Sequence, residues 1–406
     1  MTIAQPKRQA LAIEGGRPTR RIPLPYARQS LDETDIAAVN EVLRSDWLTT
    51  GPKIEEFENT FAQAVGALEA VAVSSGTAAL HAAMSAVRIG PGDEVIVTAM
   101  TFAASANCAV FQGGTPVFAD VDPETLLLDP ADVERKITSR TRAVIAVDYA
   151  GQPCDYPALR SLTNRDGLLI IDDAAHALGA RHEGRPVGSL ADLNTFSFHP
   201  VKHITTGEGG MVTCDDAALA TSLRAFRNHG ITHDSRGRAE PGNHYYAMTQ
   251  LGYNYRLTDF QCALGLSQLR RLGDFVARRQ AIAARYNDAL GRMGAIKPLH
   301  VRPKVSHAYH LYVVQLDLSR LTACRDEISR ALWAEGIRVN VHYIPVHLHP
   351  FYRERFGTAP GICPVAEAAY ERILTLPLFP GMTDEDVSDV IVAMHKVLEH
   401  YGPGQG

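Results

Sequence analysis

Three short stretches of this 406-residue chain carry the residues that could do covalent chemistry. In Thr195-Phe-Ser-Phe-His-Pro-Val-Lys202-His-Ile-Thr-Thr-Gly-Glu-Gly-Gly210, one lysine stands between a hydroxyl-bearing strand end and a glycine-rich exit. A lysine amine attacks carbonyls only where a partly desolvated pocket favours its neutral form, and Phe198 and Val201 are apolar neighbours of that kind. On this segment alone, Lys202 reads equally well as a Schiff-base amine or as a solvated lysine leaving a strand. The second stretch, Leu168-Leu-Ile-Ile-Asp172-Asp173-Ala-Ala-His176, is an apolar run ending in two carboxylates. Such a run suits a buried parallel strand, and strand ends are where open α/β sheets build sites, although a lone Asp doublet also caps helices. The third, Val71-Ala-Val-Ser74-Ser-Gly76-Thr77 and the Ala-rich run after it, predicts a strand, a small-residue turn and a helix start. The free N–H groups of a first helical turn suit a phosphate dianion, with Gly76 allowing close approach and Thr77 adding a hydroxyl.

The three stretches match what pyridoxal phosphate asks of a protein. It needs a lysine for the Schiff base, a carboxylate that keeps the pyridine nitrogen protonated, and a cradle for the phosphate. Lys202, Asp173 and Gly76-Thr77 supply them. Neither a Gly-x-Gly-x-x-Gly fingerprint nor a Walker-type Gly-Lys-Ser/Thr occurs, which argues against a dinucleotide or nucleoside triphosphate site.

Something must bring these stretches together, and the hydrophobic rhythm says what. Short apolar runs alternate with longer amphipathic stretches from about residue 55 to residue 225, as in a parallel sheet covered by helices. Expected strands are Ala70–Val73, Glu94–Thr98, Thr115–Ala119, Ala143–Val147, Leu168–Ile171, Thr195–Phe198 and Gly210–Thr213. Asp32–Leu43 reads as an amphipathic helix, and one long helix is expected from Asp259 to about Leu290, with Arg270, Arg271, Arg278 and Arg279 on its solvated face. Beyond it, His310–Leu316 and Arg338–Tyr343 read as strands, Cys324–Glu335 and Asp384–His400 as helices. The chain thus divides into three units: an N-terminal extension and arm (1–30), a large cofactor-binding domain (31–260), and a linking helix with a smaller α+β domain (261–406).

Composition is that of an ordinary globular enzyme, with 46% hydrophobic and 21% charged residues. A net charge of −5 offers no footprint for nucleic acid or an acidic membrane. The N-terminus through Arg8 has no apolar leader run and no apolar stretch reaches spanning length, so a cytoplasmic protein is expected. Its six cysteines are scattered, and His310, His342, His347 and His349 have no fixed ligand spacing, so neither disulfides nor a metal is expected.

In order and spacing, five motifs resemble the DegT/DnrJ/EryC1/StrS sugar aminotransferases over residues 20 to 400. They are Ser75-Gly76-Thr77-Ala-Ala-Leu, Thr101-Phe102-Ala-Ala-Ser-Ala-Asn107, Asp173-Ala-Ala-His176-Ala-Leu-Gly, Phe196-Ser197-Phe-His-Pro-Val-Lys202 with Gly207-Glu-Gly-Gly210, and Gly252-Tyr-Asn254-Tyr-Arg256-Leu. The resemblance implies a fold-type-I pyridoxal phosphate enzyme, a homodimer with shared active sites, acting on a nucleotide-linked keto sugar. Stretches such as Val147-Asp-Tyr-Ala-Gly-Gln152 and Val341-His-Tyr-Ile-Pro345 are most similar to the branch that serves pseudaminic acid biosynthesis.

By position, the resemblance makes Lys202 the Schiff-base lysine, Asp173 the partner of the pyridinium nitrogen, and His176 a neighbour of the phenolic oxygen. Phe102 would stack on the ring. Gly76, Thr77 and Ser197 would bind the phosphate, with Asn254 coming from the other subunit. Tyr26, Trp47, Leu48, Thr49, His342, Tyr343, Ile344 and Pro345 match the places where this enzyme type holds its sugar nucleotide. Trp47 and Ile344 stand where some relatives have polar residues. By residue type alone Phe102 is a core aromatic and Asn254 a turn residue. The implied reaction is a two-stage transamination, from glutamate or another amino acid to C4 of a UDP-linked 4-keto-6-deoxy sugar. Two other readings stay open: a sugar dehydratase, which carries histidine at the lysine position, and a non-catalytic nucleotide-sugar-binding protein.

Overall fold

Side chains along the seven expected strands of the larger unit are nearly all buried, as a sheet covered on both faces requires. In the computed structural model, which describes residues 10–231 and 246–402, they are β1 (Glu69–Val73), β2 (Glu94–Thr98), β3 (Thr115–Ala119), β4 (Thr141–Val147), β5 (Leu169–Asp173), β6 (Leu193–Ser197) and β7 (Gly210–Cys214). They form one sheet in the order β1-β7-β6-β5-β4-β2-β3, parallel except that β7 runs antiparallel to both neighbours. The α/β class expected from the sequence is therefore present, with a mostly parallel sheet between helices.

Local signals set the helices. Asp32 caps α1 (Glu33–Leu43) by accepting from the N–H groups of Thr34 and Asp35, and the Asp35 carboxylate accepts in return from the Asp32 N–H. Pro52 opens α2 (Pro52–Val65) and Gly66, at φ 70°, closes it. Helix α3 (Gly76–Ala86) is buried almost all round, which its alanines permit because a small side chain lets the backbone lie close to the sheet. Helix α4 (Ala104–Phe111) comes after β2.

The remaining chain builds an antiparallel sheet from Ile296–Pro298, Tyr312–Leu316 and Ile373–Leu376. Helices Leu272–Leu290, Arg325–Ala334 and Asp384–Tyr401 share a core with it, and Leu11 and Leu24 of the N-terminal arm enter that core. Glu335 pins the arm by accepting from the Ala12 and Thr19 N–H groups. Among the described residues no helix is long and apolar enough to cross a membrane. The N-terminal segment through Arg8 lies outside the described residues.

Three expectations are corrected. The long helix is two, Asp259–Arg270 and Leu272–Leu290, because Arg271 leaves the helical region at φ −100° and ψ 2°, with Gly273 just beyond. Its arginines are not all solvated. Arg271 pairs with Asp32 and Asp35, and Arg279 is 1% exposed, donating to the carbonyls of Tyr309, His310 and Leu378. Residues 338–343 form no strand; the stretch contributes only a bridge from Asn340 to Thr375.

Candidate active site

The carboxyl ends of β1, β4, β5 and β6 open into a cavity of about 600 Å³. Parallel strands raise their C-terminal residues to one edge of the sheet, so residues far apart in sequence meet there. Strand β5 runs through both aspartates, Asp173 pairing with Val147 on one side and Thr195 on the other. Asp172 is fully buried and Asp173 faces the cavity.

At one end of the cavity Ser75 caps α3, accepting from the Ala78 N–H at 3.1 Å. The N–H groups of Gly76 and Thr77 are in the first turn and have no acceptor within the helix. Opposite them stands Ser197, the last residue of β6. A Cβ on Gly76 would lie 2.8 Å from the Ser197 Cβ, so this cleft is as narrow as glycine allows. Two hydroxyls and a helix start thus converge on a pocket suited to an anion.

Lys202 lies half-buried in the cavity wall on the loop after β6. That loop is closed by its own bonds: Phe198 N–H to Gly209 O at 2.8 Å, Thr206 N–H to Phe198 O at 3.1 Å, and Lys202 N–H to His199 O at 2.9 Å. Burial lowers the amine to about 8, against the nearby Asp173 carboxylate, which favours the charged form. Asp173 in turn is raised by burial, with Ser105, Lys202 and the Ala175 N–H opposing the rise. Its Oδ2 accepts from the Ser105 hydroxyl at 2.6 Å and its Oδ1 from the Ala175 N–H at 3.2 Å.

Aromatic rings make the other wall. His176 Nε2 and the Tyr343 hydroxyl are 3.0 Å apart, and the His310 ring lies 4.4 Å from the His176 ring. Burial first, and the Lys202 charge second, hold His176 and His310 well below the usual histidine range, so both are neutral. His342 Nδ1 is 2.8 Å from the Thr375 hydroxyl, tying this wall to the smaller sheet. Phe102 lines the cavity with 61% of its surface exposed, its ring 6.0 Å from that of Tyr343 and tilted to it by 52°.

Of the residues singled out in the sequence, Tyr26, Gly76, Thr77, Phe102, Asp173, His176, Ser197, Lys202, His342 and Tyr343 line this one cavity. Ile344 is exposed and Pro345 buried beyond its edge. Trp47, Leu48, Thr49 and Asn254 are exposed outside it. The first three form a strip with the 258–259 segment, through the Thr49–Thr258 bridge and the Asp259 N–H to Leu48 O bond. Ser105, His310 and Asn340 also belong to the site and were not anticipated. Ser105 sits inside the quoted Thr101–Asn107 motif, four residues after Thr101, and that spacing on a helix start was the available signal.

The donor set fits pyridoxal phosphate: an amine already partly neutral, a buried carboxylate, an anion cleft that a Cβ would fill, and an open aromatic face. A sugar aminotransferase of similar structure, Spr1654, is known in PLP and PMP forms. Residues 29–395 match the DegT/DnrJ/EryC1/StrS aminotransferase family. SpsC of Bacillus subtilis, a spore coat polysaccharide biosynthesis protein, is 43% identical over 378 residues, which cover 93% of this chain and 97% of SpsC. Spr1654 of Streptococcus pneumoniae, in its PLP form, superposes with a TM-score of 0.86 at 34% identity, covering 93% of this chain and 99% of its own. PseC of Helicobacter pylori, an aminotransferase involved in the biosynthesis of pseudoaminic acid, gives 0.87 at 31% identity, with 93% and 100% covered.

Proposed function

Since the chain belongs to the DegT/DnrJ/EryC1/StrS aminotransferase family, and is therefore a pyridoxal phosphate-dependent sugar aminotransferase, we propose that it transfers the amino group of glutamate to C4 of a nucleotide-linked 4-keto-6-deoxy sugar. UDP-2-acetamido-2,6-dideoxy-beta-L-arabino-hex-4-ulose is the substrate of this reading. The observation that carries the chemistry is Lys202, lowered to about 8, in one cavity with Asp173 and the Gly76–Ser197 cleft.

Bound pyridoxal phosphate supplies an electron sink for the donor's Cα–H bond and carries nitrogen from donor to keto sugar. In our reading Gly76, Thr77 and Ser197 hold its phosphate, Phe102 covers a ring face, and His176 sits beside the phenolic oxygen. Asp173, kept ionised, holds a proton on the ring nitrogen. Lys202 would be the point of attachment; once displaced, its Nζ would take the proton from the donor's Cα, and the same amine would return a proton when the keto sugar is aminated. Burial favours this because a neutral amine can accept a proton without first losing one.

Tyr26, His342 and Tyr343 would meet the sugar nucleotide. Asn254 and the exposed Trp47-Leu48-Thr49 strip would complete the cavity of a second copy, in a cytoplasmic homodimer. The full-length likeness to PseC, an aminotransferase of pseudoaminic acid biosynthesis, supports a substrate of that pathway's kind. The higher identity with SpsC favours a second reading, a different nucleotide-linked keto sugar that feeds a polysaccharide. Product analysis with UDP-, dTDP- and GDP-linked 3-keto and 4-keto sugars, glutamate being the donor, separates the two. Failure on the UDP-linked N-acetylated 4-keto sugar with turnover of another would refute the first reading and leave the aminotransferase standing.

A further inference from the structure

We propose that Ser105 is a positioning residue that keeps the Asp173 carboxylate charged and aimed, through a hydroxyl relay that begins at Thr101. The inference rests on the reading that Asp173 faces the cofactor's ring nitrogen. Thr101 and Ser105 are both buried, at 2% and 0% exposure, in the turn between β2 and α4 and the first turn of that helix. Ser105 Oγ lies 2.6 Å from Asp173 Oδ2, and Thr101 Oγ1 lies 2.7 Å from Ser105 Oγ. An ionised carboxylate can only accept, so the Ser105 proton points at Asp173. Ser105 Oγ then has only lone pairs left for Thr101, and the Thr101 hydroxyl must be the donor. Both protons are therefore directed toward the carboxylate, and each bond polarises the next.

The charge on Asp173 needs this support. Burial favours the neutral acid, and a neutral acid cannot hold a proton on the ring nitrogen. The titratable groups that face it are Lys202 from the loop after β6, Asp172 beside it on β5, Asp148 after β4, Cys108 on α4, and Tyr343 from the smaller domain. Burial carries Asp148 and Asp172 toward the neutral acid, and holds Cys108 and Tyr343 protonated. Lys202 is the one cation in that set, and it takes part in the reaction, so its charge comes and goes. The Ser105 hydroxyl and the Ala175 N–H remain in place throughout.

The test uses the full chain, stripped of cofactor and titrated with pyridoxal phosphate between pH 5 and 9, with the dissociation constant and the absorbance of the bound cofactor read at each pH. For Ser105→Ala the acid limb of the affinity profile should move up by about one pH unit, so that affinity on that limb falls about tenfold while the plateau above it is kept, the worth of one charge-assisted hydrogen bond. Ser105→Thr should restore both, and Thr101→Val should move the limb the same way by less. Should Ser105→Ala fail to fold, Thr101→Val carries the test alone. A Ser105→Ala profile that superimposes on the wild type, or that falls uniformly at every pH, overturns the proposal. Asp173→Asn is the control: if it too leaves the profile unchanged, the assignment of Asp173 falls along with the relay, whereas a changed Asp173→Asn profile beside an unchanged Ser105→Ala profile refutes the relay only.

Discussion

The narrow cleft between α3 and β6 makes Gly76→Ala the most informative single substitution. An added Cβ would meet the Ser197 Cβ at 2.8 Å and its Oγ at 3.2 Å, while the Ser197 Cα stands off at 3.4 Å. The first distance is closer than real side chains approach, so Ser197 or the helix start must shift. Overpacking of this kind costs about 1–3 kcal/mol. Alanine in place of glycine in a helix returns up to about 1 kcal/mol. The net is an apoprotein less stable by up to about 3 kcal/mol, measured as a fall in its urea midpoint. If Ser197 is displaced, the phosphate loses its hydroxyl, and a lost hydrogen bond to a charged group weakens cofactor binding by about tenfold to a hundredfold. Ser197→Gly removes both clashing atoms and leaves only the tolerable contact to Cα. The double variant should therefore regain the stability that Gly76→Ala loses relative to Ser197→Gly, yet bind cofactor no better than Ser197→Gly. That pattern is a coupling in stability without a coupling in affinity. Wild-type values for Gly76→Ala in both measurements would refute a cleft this narrow, and so would a double variant that keeps the full instability of Gly76→Ala.

Other expected outcomes come from the titrating groups and from the surface. Because the folded Lys202 is lowered to about 8, the rate at which the apoprotein takes up pyridoxal phosphate should rise through about pH 8; a midpoint near the ordinary lysine value of 10.5 would refute the buried amine. Burial raises the Asp148 carboxyl from 3.8 to about 7 and holds Asp172 well above the usual carboxylate range, so their favourable contribution is complete below the ordinary carboxyl range and lost as pH rises, through about 7 for Asp148. Asp172→Asn should therefore stabilise the apoprotein at pH 8 and lose that advantage at pH 4; urea midpoints at the two values check it. If the active sites are shared, Lys202→Ala and Asn254→Ala chains unfolded, mixed in equal amounts and refolded together should recover about a quarter of wild-type turnover, since half the pairs carry one intact site. Recovery no greater than the sum of the two variants alone would exclude a contribution of Asn254 across the interface.

Most residues of the proposed cofactor end were legible as neighbours in one cavity because their signals are local. A strand announces itself by an apolar run, and the residues at the end of that run are carried to the sheet edge: Asp173 after Ile170-Ile171, Gly76 after Val73, Ser197 at the end of its own strand. The parts that stayed hidden are made by packing between segments distant in sequence. His310 has no neighbour in sequence that marks it, and its role at the site comes from the ring of His176 lying 4.4 Å away. Arg279 has the spacing of a solvated helical residue, and only the carbonyls of Tyr309, His310 and Leu378, which no sequence pattern announces, turn it inward.

The 338–343 segment shows most clearly why an alternating pattern can mislead. A period of two records extended backbone, and extended backbone is a strand only if its N–H and C=O groups find a neighbouring chain. Here only the first part finds one, the Arg338 N–H reaching the Leu24 carbonyl and Asn340 pairing with Thr375 through both its N–H and its C=O, and from Val341 on the partners are side chains. The Val341 N–H bonds the Asn340 side chain, the Tyr343 N–H points at the Met100 sulfur, and the His342 carbonyl accepts from the Tyr149 hydroxyl. Released from a ladder beyond Asn340, the segment can run along the cavity rim, where four successive residues, Asn340 to Tyr343, all reach the site. A paired strand would have turned alternate residues away. The wall proposed to meet the sugar is thus built from an extended segment whose backbone beyond Asn340 is held by the surrounding side chains, so substitutions at Tyr149, Met100 or Asn340 should move the position of Tyr343 without touching the proposed cofactor cleft. Tyr149→Phe tests this directly: the Michaelis constant for the keto sugar should rise while cofactor affinity stays at the wild-type value, and a loss of cofactor affinity of the same size would show that the two ends of the cavity are one unit after all.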